Sequence, residues 1–186
     1  MLTRALVAGA ELRLFDEADA EELFALVAAN RAHLRRWLPW VDGNDSVAGT
    51  LEFIRASRKQ LEEKRGTQLA VVCAGKIVGV VGYHTVDWEN RSTSIGYWLA
   101  EEYQGRGLMT EAVRALVDHA FSVWKLNLVE IRAAAENARS RAIPERLGFT
   151  QEGVLRQREW LYDRFVDHVS YSLLASEWRR GGAPPR

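Results

Sequence analysis

The chain has 186 residues, of which 47% are hydrophobic and 27% are charged, a composition typical of one globular domain. Its 25 basic and 25 acidic residues cancel, so neither a large basic face nor a nucleic-acid partner is expected. The single cysteine, Cys73, excludes an internal disulfide framework and a site with several thiolate ligands, and the four histidines have no metal-ligand spacing.

The first third of the chain predicts one strand and two helices. Residues 11–15 (ELRLF) predict a short strand. Asp19 and Glu22 resemble a capping box that opens the first helix, and Pro39 ends that helix. In that first helix, the residues Leu23, Val27, Asn30, Leu34 and Trp37 recur at helical spacing. A second helix is expected over residues 47–65.

The rest of the chain predicts a sheet with helices on its faces. Gly75 marks a tight hairpin between two apolar strands, and a third strand precedes a glycine-rich loop. The remaining elements are a helix, an alternating strand, a short helix and a closing hairpin. Their predicted ranges are 68–75, 76–87 and 92–100 for the three strands, then 108–121, 128–137, 138–148, 153–160 and 165–174.

The start of the chain and the length of its apolar runs indicate where the protein is located. Glu11 and Arg13 interrupt the apolar start too early for a signal peptide, and no apolar run is long enough to span a membrane. We therefore expect a cytoplasmic protein with no membrane partner. Residues 179–186 (RRGGAPPR) predict a disordered tail.

The loop QGRGLM, residues 104–109, has two glycines immediately before a helix. The first N–H groups of a helix have no intrahelical partner, and glycine lets a ligand approach the backbone closely. Such a loop either binds an anion, most often a phosphate, or forms an ordinary left-handed turn. It is not a P-loop, and Thr110 stands where the dinucleotide fingerprint needs its third glycine.

In this order of elements, three motifs resemble those of the GNAT acetyltransferase superfamily. QGRGLM stands at the pyrophosphate loop of that family, residues 137–140 (NARS) match its N-x-x-S element, and residues 146–149 (RLGF) match the following helix end. Within the superfamily the chain is most similar to the Rim-type ribosomal-protein N-terminal acetyltransferases. The segments that carry this second resemblance are RAHLRRWLPWVD, NRSTSIGYWL, SRAIPERLGF and REWLYDRFVDHVSYSL.

The resemblance runs from about residue 10 to residue 178 and implies a single domain over residues 1–178. The implied fold is the α+β GNAT fold, α/β-like, with a mixed, mostly antiparallel, seven-stranded twisted sheet and about four flanking helices. The implied cosubstrate is acetyl-CoA, with no metal. Its pyrophosphate would bind the backbone of the loop residues Gln104, Gly105, Arg106, Gly107, Leu108 and Met109. Met109 departs from the Gly or Ala of the family, and an inward-packing side chain explains it.

The resemblance also implies which residues bind the pantetheine arm of the cosubstrate. The strand edge Trp98, Leu99 and Ala100 would bind that arm, together with Asn137. Each assignment has a structural alternative, since Trp98 could be a core aromatic and Asn137 could be a helix N-cap. Both functions of Asn137 are compatible with each other.

Acetyl transfer needs a base for the amine and a partner for the departing thiolate. Many family members use a tyrosine on the short helix, but Pro144 stands at that position here. The resemblance makes Ser140 the thiolate partner and Glu159 the base. The alternatives are a capping or solvent-facing serine, and a glutamate paired with Arg156 or Arg158. Regular strand alternation would place Glu159 on one face with Leu155, Gln157 and Leu161.

Trp37 and Trp40 follow the first predicted helix, where the family shapes its acceptor slot. The resemblance implies acetyl transfer to the N-terminal α-amino group of a protein, possibly a ribosomal protein. Two alternatives remain open: a small-molecule N-acetyltransferase acting on a polyamine or drug, and a non-catalytic acyl-CoA-binding module. Core packing is the alternative for the two tryptophans. The sequence leaves monomer and homodimer equally open.

Overall fold

The computed structural model describes residues 4–6 and 9–178, so the predicted disordered tail lies outside the described residues. Eight strands and five helices are found in this part of the chain. The strands are β1 (Arg4–Ala5), β2 (Ala10–Leu14), β3 (Thr67–Cys73), β4 (Lys76–Asp87), β5 (Ser92–Leu99), β6 (Leu128–Ala134), β7 (Thr150–Leu161) and β8 (Arg164–Leu174). The helices are α1 (Ala20–Ala29), α2 (Arg31–Arg35), α3 (Val47–Glu62), α4 (Leu108–Ser122) and α5 (Ala138–Arg146).

All the strands belong to one mixed sheet in the order β1-β2-β3-β4-β5-β6-β8-β7. Its pairs are antiparallel except for β5 and β6, which are parallel. The α+β fold class is therefore confirmed, with eight strands rather than seven because Arg4–Ala5 adds a short edge strand. Five helices appear instead of about four because the first predicted helix is divided.

The division occurs at Asn30, between α1 and α2. Its side chain donates to the Leu26 carbonyl oxygen at 3.0 Å and accepts from the Glu101 N–H at 3.0 Å. An asparagine that binds nearby backbone groups competes with the helical hydrogen bonds, which explains the break. The same side chain ties this point to the segment that follows β5.

The predicted capping box at Asp19 and Glu22 is wrong by one turn. The box is formed by Asp16 and Asp19 around a short 3₁₀ turn before α1, with the Asp19 carboxylate accepting from the Asp16 N–H at 2.7 Å. Glu22 instead accepts from the Ile77 N–H of β4 at 2.7 Å, so its carboxylate anchors α1 to the sheet. Asp16 with Asp19 and Asp19 with Glu22 are both pairs of acidic residues three positions apart, so the sequence pattern fits either pair.

Two layers of helices cover the sheet unequally. α4 packs its apolar face, including Leu116, against core residues such as Ile95 and Ile131. On the opposite face, α1 and α3 pack over β3 and β4, with Ile54 fully buried there. The same face of β5, β6 and β8 lines an open cavity instead, and this uncovered part of the sheet positions the candidate site.

Within residues 4–6 and 9–178, no helix combines the length and the apolar character that a membrane crossing requires.

Candidate active site

The parallel strands β5 and β6 separate after a short paired stretch. Only three pairs join them in the described structure, the last being Ser94 with Glu130. The Ala100 N–H donates to Val78 across β4 at 2.8 Å. Backbone groups alternate sides along a strand, so those of Tyr97 and Leu99 point into the gap. Of the predicted edge, Leu99 therefore faces the gap with its backbone, while Trp98 and Ala100 turn theirs toward β4.

The glycine-rich loop enters α4 through two left-handed residues. Gly105 has a φ of 76° and Gly107, the N-cap of α4, has a φ of 77°. Glycine supplies no capping side chain, so the first N–H groups of α4 keep their hydrogen-bonding capacity for a ligand. The side chains of Leu108 and Met109 are buried in the core, which fits the predicted inward packing of Met109. The loop thus presents backbone donors at the positive end of a helix.

Side chains fix this loop to the elements around it. The Gln104 side chain accepts from Arg139 of α5 at 2.6 Å, and its Nε2 lies 2.8 Å from His33 Nε2. Burial lowers the pKa of His33, so the neutral ring can accept that hydrogen bond. Arg106 turns back to the Glu102 carbonyl oxygen at 2.8 Å, and its guanidinium is exposed. Gln104 therefore links α2, the loop and α5.

The start of α5 carries Asn137 and Ser140. Asn137 is the N-cap, and its side chain accepts from the Ser140 N–H at 3.1 Å. Pro144 has no N–H to donate to the Ser140 carbonyl four residues earlier. That carbonyl instead accepts from the Tyr97 hydroxyl at 2.9 Å, and Ser140 Oγ lies 3.4 Å from the same hydroxyl. Pro144 thus makes room for a contact between α5 and β5.

A cavity of about 1000 Å³ opens beside this point. It brings together six of the predicted site residues, namely Trp37, Trp40, Trp98, Asn137, Ser140 and Glu159. Leu99, Ala100 and the loop 104–109 lie outside its lining. The cavity therefore joins the predicted catalytic residues to the predicted acceptor residues, whereas the predicted cosubstrate loop lies outside its lining.

Glu159 reaches the cavity from an irregular part of β7. Leu155 pairs with His168 and Glu159 pairs with Val166, so residues 156–158 face a single residue of β8. Within this bulge Gln157 has a φ of 49°, and its N–H donates to the Asp167 carboxylate at 2.7 Å. The predicted regular alternation is wrong here, because the bulge redirects the side chains that follow it.

The neighbour of Glu159 is a histidine. Glu159 Oε2 lies 3.3 Å from His168 Nε2, but the geometry is not that of a hydrogen bond. Among the described residues Glu159 has no arginine partner, so the alternative of pairing with Arg156 or Arg158 is not seen. The carboxylate, partly exposed to the cavity, is free to accept a proton from a ligand.

Residues 37–44 form a roof over the cavity. Trp40 is 40% exposed, and its ring lies 6.1 Å from that of Trp98, at 50°. The Tyr162 hydroxyl in the β7–β8 turn donates to the Leu38 carbonyl oxygen at 2.7 Å, and Arg35 lies over the Tyr162 ring. The roof is thus attached to the hairpin that carries Glu159.

Comparison with known proteins identifies the fold. Residues 10–150 match the acetyltransferase (GNAT) domain family. This chain belongs to the GNAT family. A relative in Bacillus subtilis (strain 168), YdaF, provisionally described as a ribosomal N-acetyltransferase, is 38% identical over 90% of this chain and 92% of its own length. The chain is therefore an acetyl-CoA-dependent N-acetyltransferase related to ribosomal-protein acetyltransferases.

Two solved structures of GNAT proteins resemble this one closely. The ribosomal L7/L12 alpha-N-protein acetyltransferase RimL in complex with coenzyme A has a TM-score of 0.89 and 27% identity, over 92% of this chain and 97% of RimL. The microcin C7 self-immunity acetyltransferase MccE, in complex with acetyl-CoA and AMP, has a TM-score of 0.86 and 28% identity, over 89% and 92% of the two chains.

The GNAT cavity also contains residues that the sequence did not single out as functional. His84 of β4 and Ser94 of β5 lie 3.1 Å apart, and Arg132 of β6 lines the same wall. Burial, reinforced by the charge of Arg132, lowers the pKa of His84. Strand alternation places Ser94 and Arg132 opposite the buried residues of their strands, a signal that could have located both. His84 follows a register shift, so no periodic signal marks it.

Proposed function

We propose that this enzyme transfers the acetyl group of acetyl-CoA to the N-terminal α-amino group of a protein, most simply a ribosomal protein. One observation carries the proposal. A single cavity joins the gap between β5 and β6 to a slot roofed by tryptophans, and Glu159 is the one acidic residue among the described residues that line it. The similarity to YdaF, provisionally described as a ribosomal N-acetyltransferase, and to RimL, a ribosomal L7/L12 alpha-N-protein acetyltransferase, supports the same acceptor class.

The features of the gap fit acetyl-CoA. The loop 104–109 offers uncapped N–H groups at a helix N-terminus, the usual environment for a pyrophosphate. The open edge of β5 offers the Leu99 N–H to a pantetheine arm, whereas the Leu99 carbonyl oxygen accepts from Gln104 Nε2 at 3.4 Å. Asn137 Nδ2 is available at the start of α5, while its Oδ1 caps that helix. When bound, acetyl-CoA supplies the acetyl group as a thioester.

Glu159 is the proposed base. An attacking amine must be neutral, and a carboxylate in the cavity can take its proton directly or through one water. His168 Nε2 lies 3.3 Å from the carboxylate without forming a hydrogen bond, so the lone pairs of Glu159 are not occupied by it. Glu159 thus takes the amine proton as the C–N bond forms and the C–S bond of the thioester breaks, and the departing thiolate is left to its own hydrogen-bond partner.

Ser140 is the proposed thiolate partner. Ser140 lines the cavity at the end of the gap. Its hydroxyl donates to the Tyr97 hydroxyl at a long 3.4 Å and can turn that proton to a sulfur instead. The Tyr97 hydroxyl, whose pKa burial raises, stays protonated and fixes the Ser140 carbonyl at 2.9 Å. Tyr97 therefore positions the serine, since its own proton is already donated.

The slot between Trp37, Trp40 and Trp98 is the proposed acceptor site. Tryptophan offers a large apolar face and one donor, which suits the first residues of a peptide. A polyamine carries several positive charges and needs several carboxylates, and Glu159 is the one that the described lining provides. This charge balance favours a peptide over spermidine.

Release of free thiol from acetyl-CoA tests the function. Peptides with N-terminal Ser or Ala should be acetylated at the α-amine, whereas spermidine and N-terminally blocked peptides should give background release. Mass spectrometry locates the acetyl group on the peptide. Thiol release with spermidine but with none of the peptides would contradict the proposal.

Replacement of Glu159 tests the base. Glu159→Gln keeps the shape and removes the basicity, so turnover at neutral pH should fall by about 10²–10⁴-fold while acetyl-CoA affinity is retained. The defect should shrink at high pH, where the amine is already neutral. Glu152→Gln, on the same strand and outside the cavity lining, is the matched control. A near-normal rate for Glu159→Gln at neutral pH refutes the assignment.

A further inference from the structure

Among the described residues, the cavity is lined by more positive than negative charge. Arg132 and Arg158 line it, and they outnumber Glu159, the acidic residue of the described lining. His84, whose pKa is lowered by burial and by Arg132, adds no charge near neutral pH. Binding a neutral amine and a peptide backbone does not require two guanidinium groups, so their presence needs another explanation.

Arg158 is aimed at the cavity by the bulge in β7. In a regular strand Arg158 and Glu159 would point to opposite faces, yet both line this cavity. The bulge is held by the bond from the Gln157 N–H to Asp167. Within residues 4–6 and 9–178, Arg158 forms neither an ion pair nor a side-chain hydrogen bond, so its donors are available to a ligand.

Arg132 lies on β6, which β8 separates from β7 in the sheet. Its neighbours Ile131 and Ala133 are buried in the core, so strand alternation turns Arg132 to the cavity face. One of its nitrogen atoms lies 3.5 Å from Glu130, which leaves several of its five N–H donors free. Arg132 lines the same cavity wall as His84 and Ser94, so its guanidinium belongs to the cavity surface.

We propose that Arg132 and Arg158 form a subsite for an acidic side chain of the acceptor, an Asp or Glu directly after the residue that is acetylated. The inference rests on the proposed function. Adjacent Cα atoms are about 3.8 Å apart, so an amine at Glu159 and a carboxylate at Arg158 suit neighbouring residues of an extended peptide. Planar guanidinium groups bind carboxylates through two parallel hydrogen bonds.

The test compares three peptides that differ only at the second residue: Ser-Asp, Ser-Asn and Ser-Lys, each followed by the same sequence. For the unmodified enzyme the KM should rise about fivefold from Asp to Asn and again from Asn to Lys, as expected for partly exposed charge pairs. The difference should shrink at high salt, since salt screens exposed charges. Equal KM values for the three peptides overturn the subsite.

Variants assign the effect to the two arginines. Arg158→Gln and Arg132→Gln should each reduce the preference for Asp, and Arg158→Glu should invert it toward Lys. Arg156→Gln, two residues away and outside the cavity lining, is the matched control and should behave as the unmodified enzyme. An Asp preference that persists in both Arg158→Gln and Arg132→Gln overturns the assignment.

The two proposals fail in distinguishable ways. Acetylation of all three peptides with equal efficiency contradicts the acidic subsite alone and leaves the proposed function intact. Thiol release with none of the three peptides contradicts the proposed function, and the subsite with it. Acetyl-CoA affinity and the thermal unfolding midpoint of each variant establish that the protein is folded and can bind its cosubstrate.

Discussion

Replacement of Gly107 by alanine distinguishes a loss of stability caused by backbone strain from a loss of affinity for acetyl-CoA. Gly107 has a φ of 77°, and a Cβ built there meets no atom of the protein within 4 Å. The left-handed backbone is therefore the only source of destabilisation in this variant, and it lowers the free energy of unfolding by about 1–2 kcal/mol. For a chain of this size that corresponds to a decrease in Tm of roughly 2–8 °C.

Gly75 provides a matched control. It has a φ of 76° in the β3–β4 hairpin, and a Cβ there also meets nothing within 4 Å. Gly75→Ala should lose the same unfolding free energy and keep its affinity for acetyl-CoA. In the proposed complex, the methyl group added at Gly107 would stand where the pyrophosphate approaches the backbone. Loss of one hydrogen bond to a charged group costs about 1.5–3 kcal/mol, which raises Kd roughly 10- to 150-fold.

Calorimetric titration with acetyl-CoA and thermal unfolding should be measured on both variants. Arg106→Ala belongs in the same series, because its guanidinium is exposed and bonded back to Glu102. Its loss should change Kd by less than about fivefold, as for an exposed charge. Folded Gly107→Ala protein with the Kd of Gly75→Ala would show that the loop is only a turn.

Three further predictions concern the cavity. Trp40→Ala should raise the acceptor KM at unchanged acetyl-CoA affinity, and because Trp40 is 40% exposed its stability loss should stay below the roughly 3–5 kcal/mol of a core tryptophan; a loss in that range would make it a packing residue. Tyr97→Phe leaves the Ser140 carbonyl without its donor, so it should cost about 1–3 kcal/mol in chemical denaturation and lower kcat; unchanged kcat would remove Tyr97 from the positioning of Ser140. Because the pKa of His84 is lowered in the folded protein, the unfolded chain binds more protons just below pH 6.5, and stability should fall as the pH falls there. His84→Gln should have a shallower pH dependence of unfolding free energy, and identical slopes would contradict the shift.

Local signals in the sequence were sufficient for the loop and the start of α5. The glycines before α4 and the asparagine before α5 act within one helical turn, so their conformations follow from their own chemistry. The sheet could be predicted for a similar reason, since alternation and turn residues are properties of short segments. Burial of Met109 followed from its place on the apolar face of α4.

The features that the sequence did not predict depend on distant partners. The bulge in β7 is held by Asp167 of the neighbouring strand, so no pattern within β7 reveals it. The contact of Tyr97 with Ser140 joins residues 43 positions apart. Asn30 looked like an ordinary helical position because its acceptor role depends on Glu101, which lies beyond three further strands.

The separation of β5 and β6 leaves two unpaired strand edges in the middle of the sheet rather than at its margin. Exposed edges at a margin recruit strands of other chains and promote aggregation. Here three residue pairs hold the two strands together at one end, and Tyr97 bonded to Ser140 limits the space at the other. Because the opening is closed at one end and limited at the other, a strand of another folded protein cannot insert into it. A flexible ligand without secondary structure can. The enzyme can therefore keep backbone hydrogen-bonding groups permanently available without becoming prone to self-association through them.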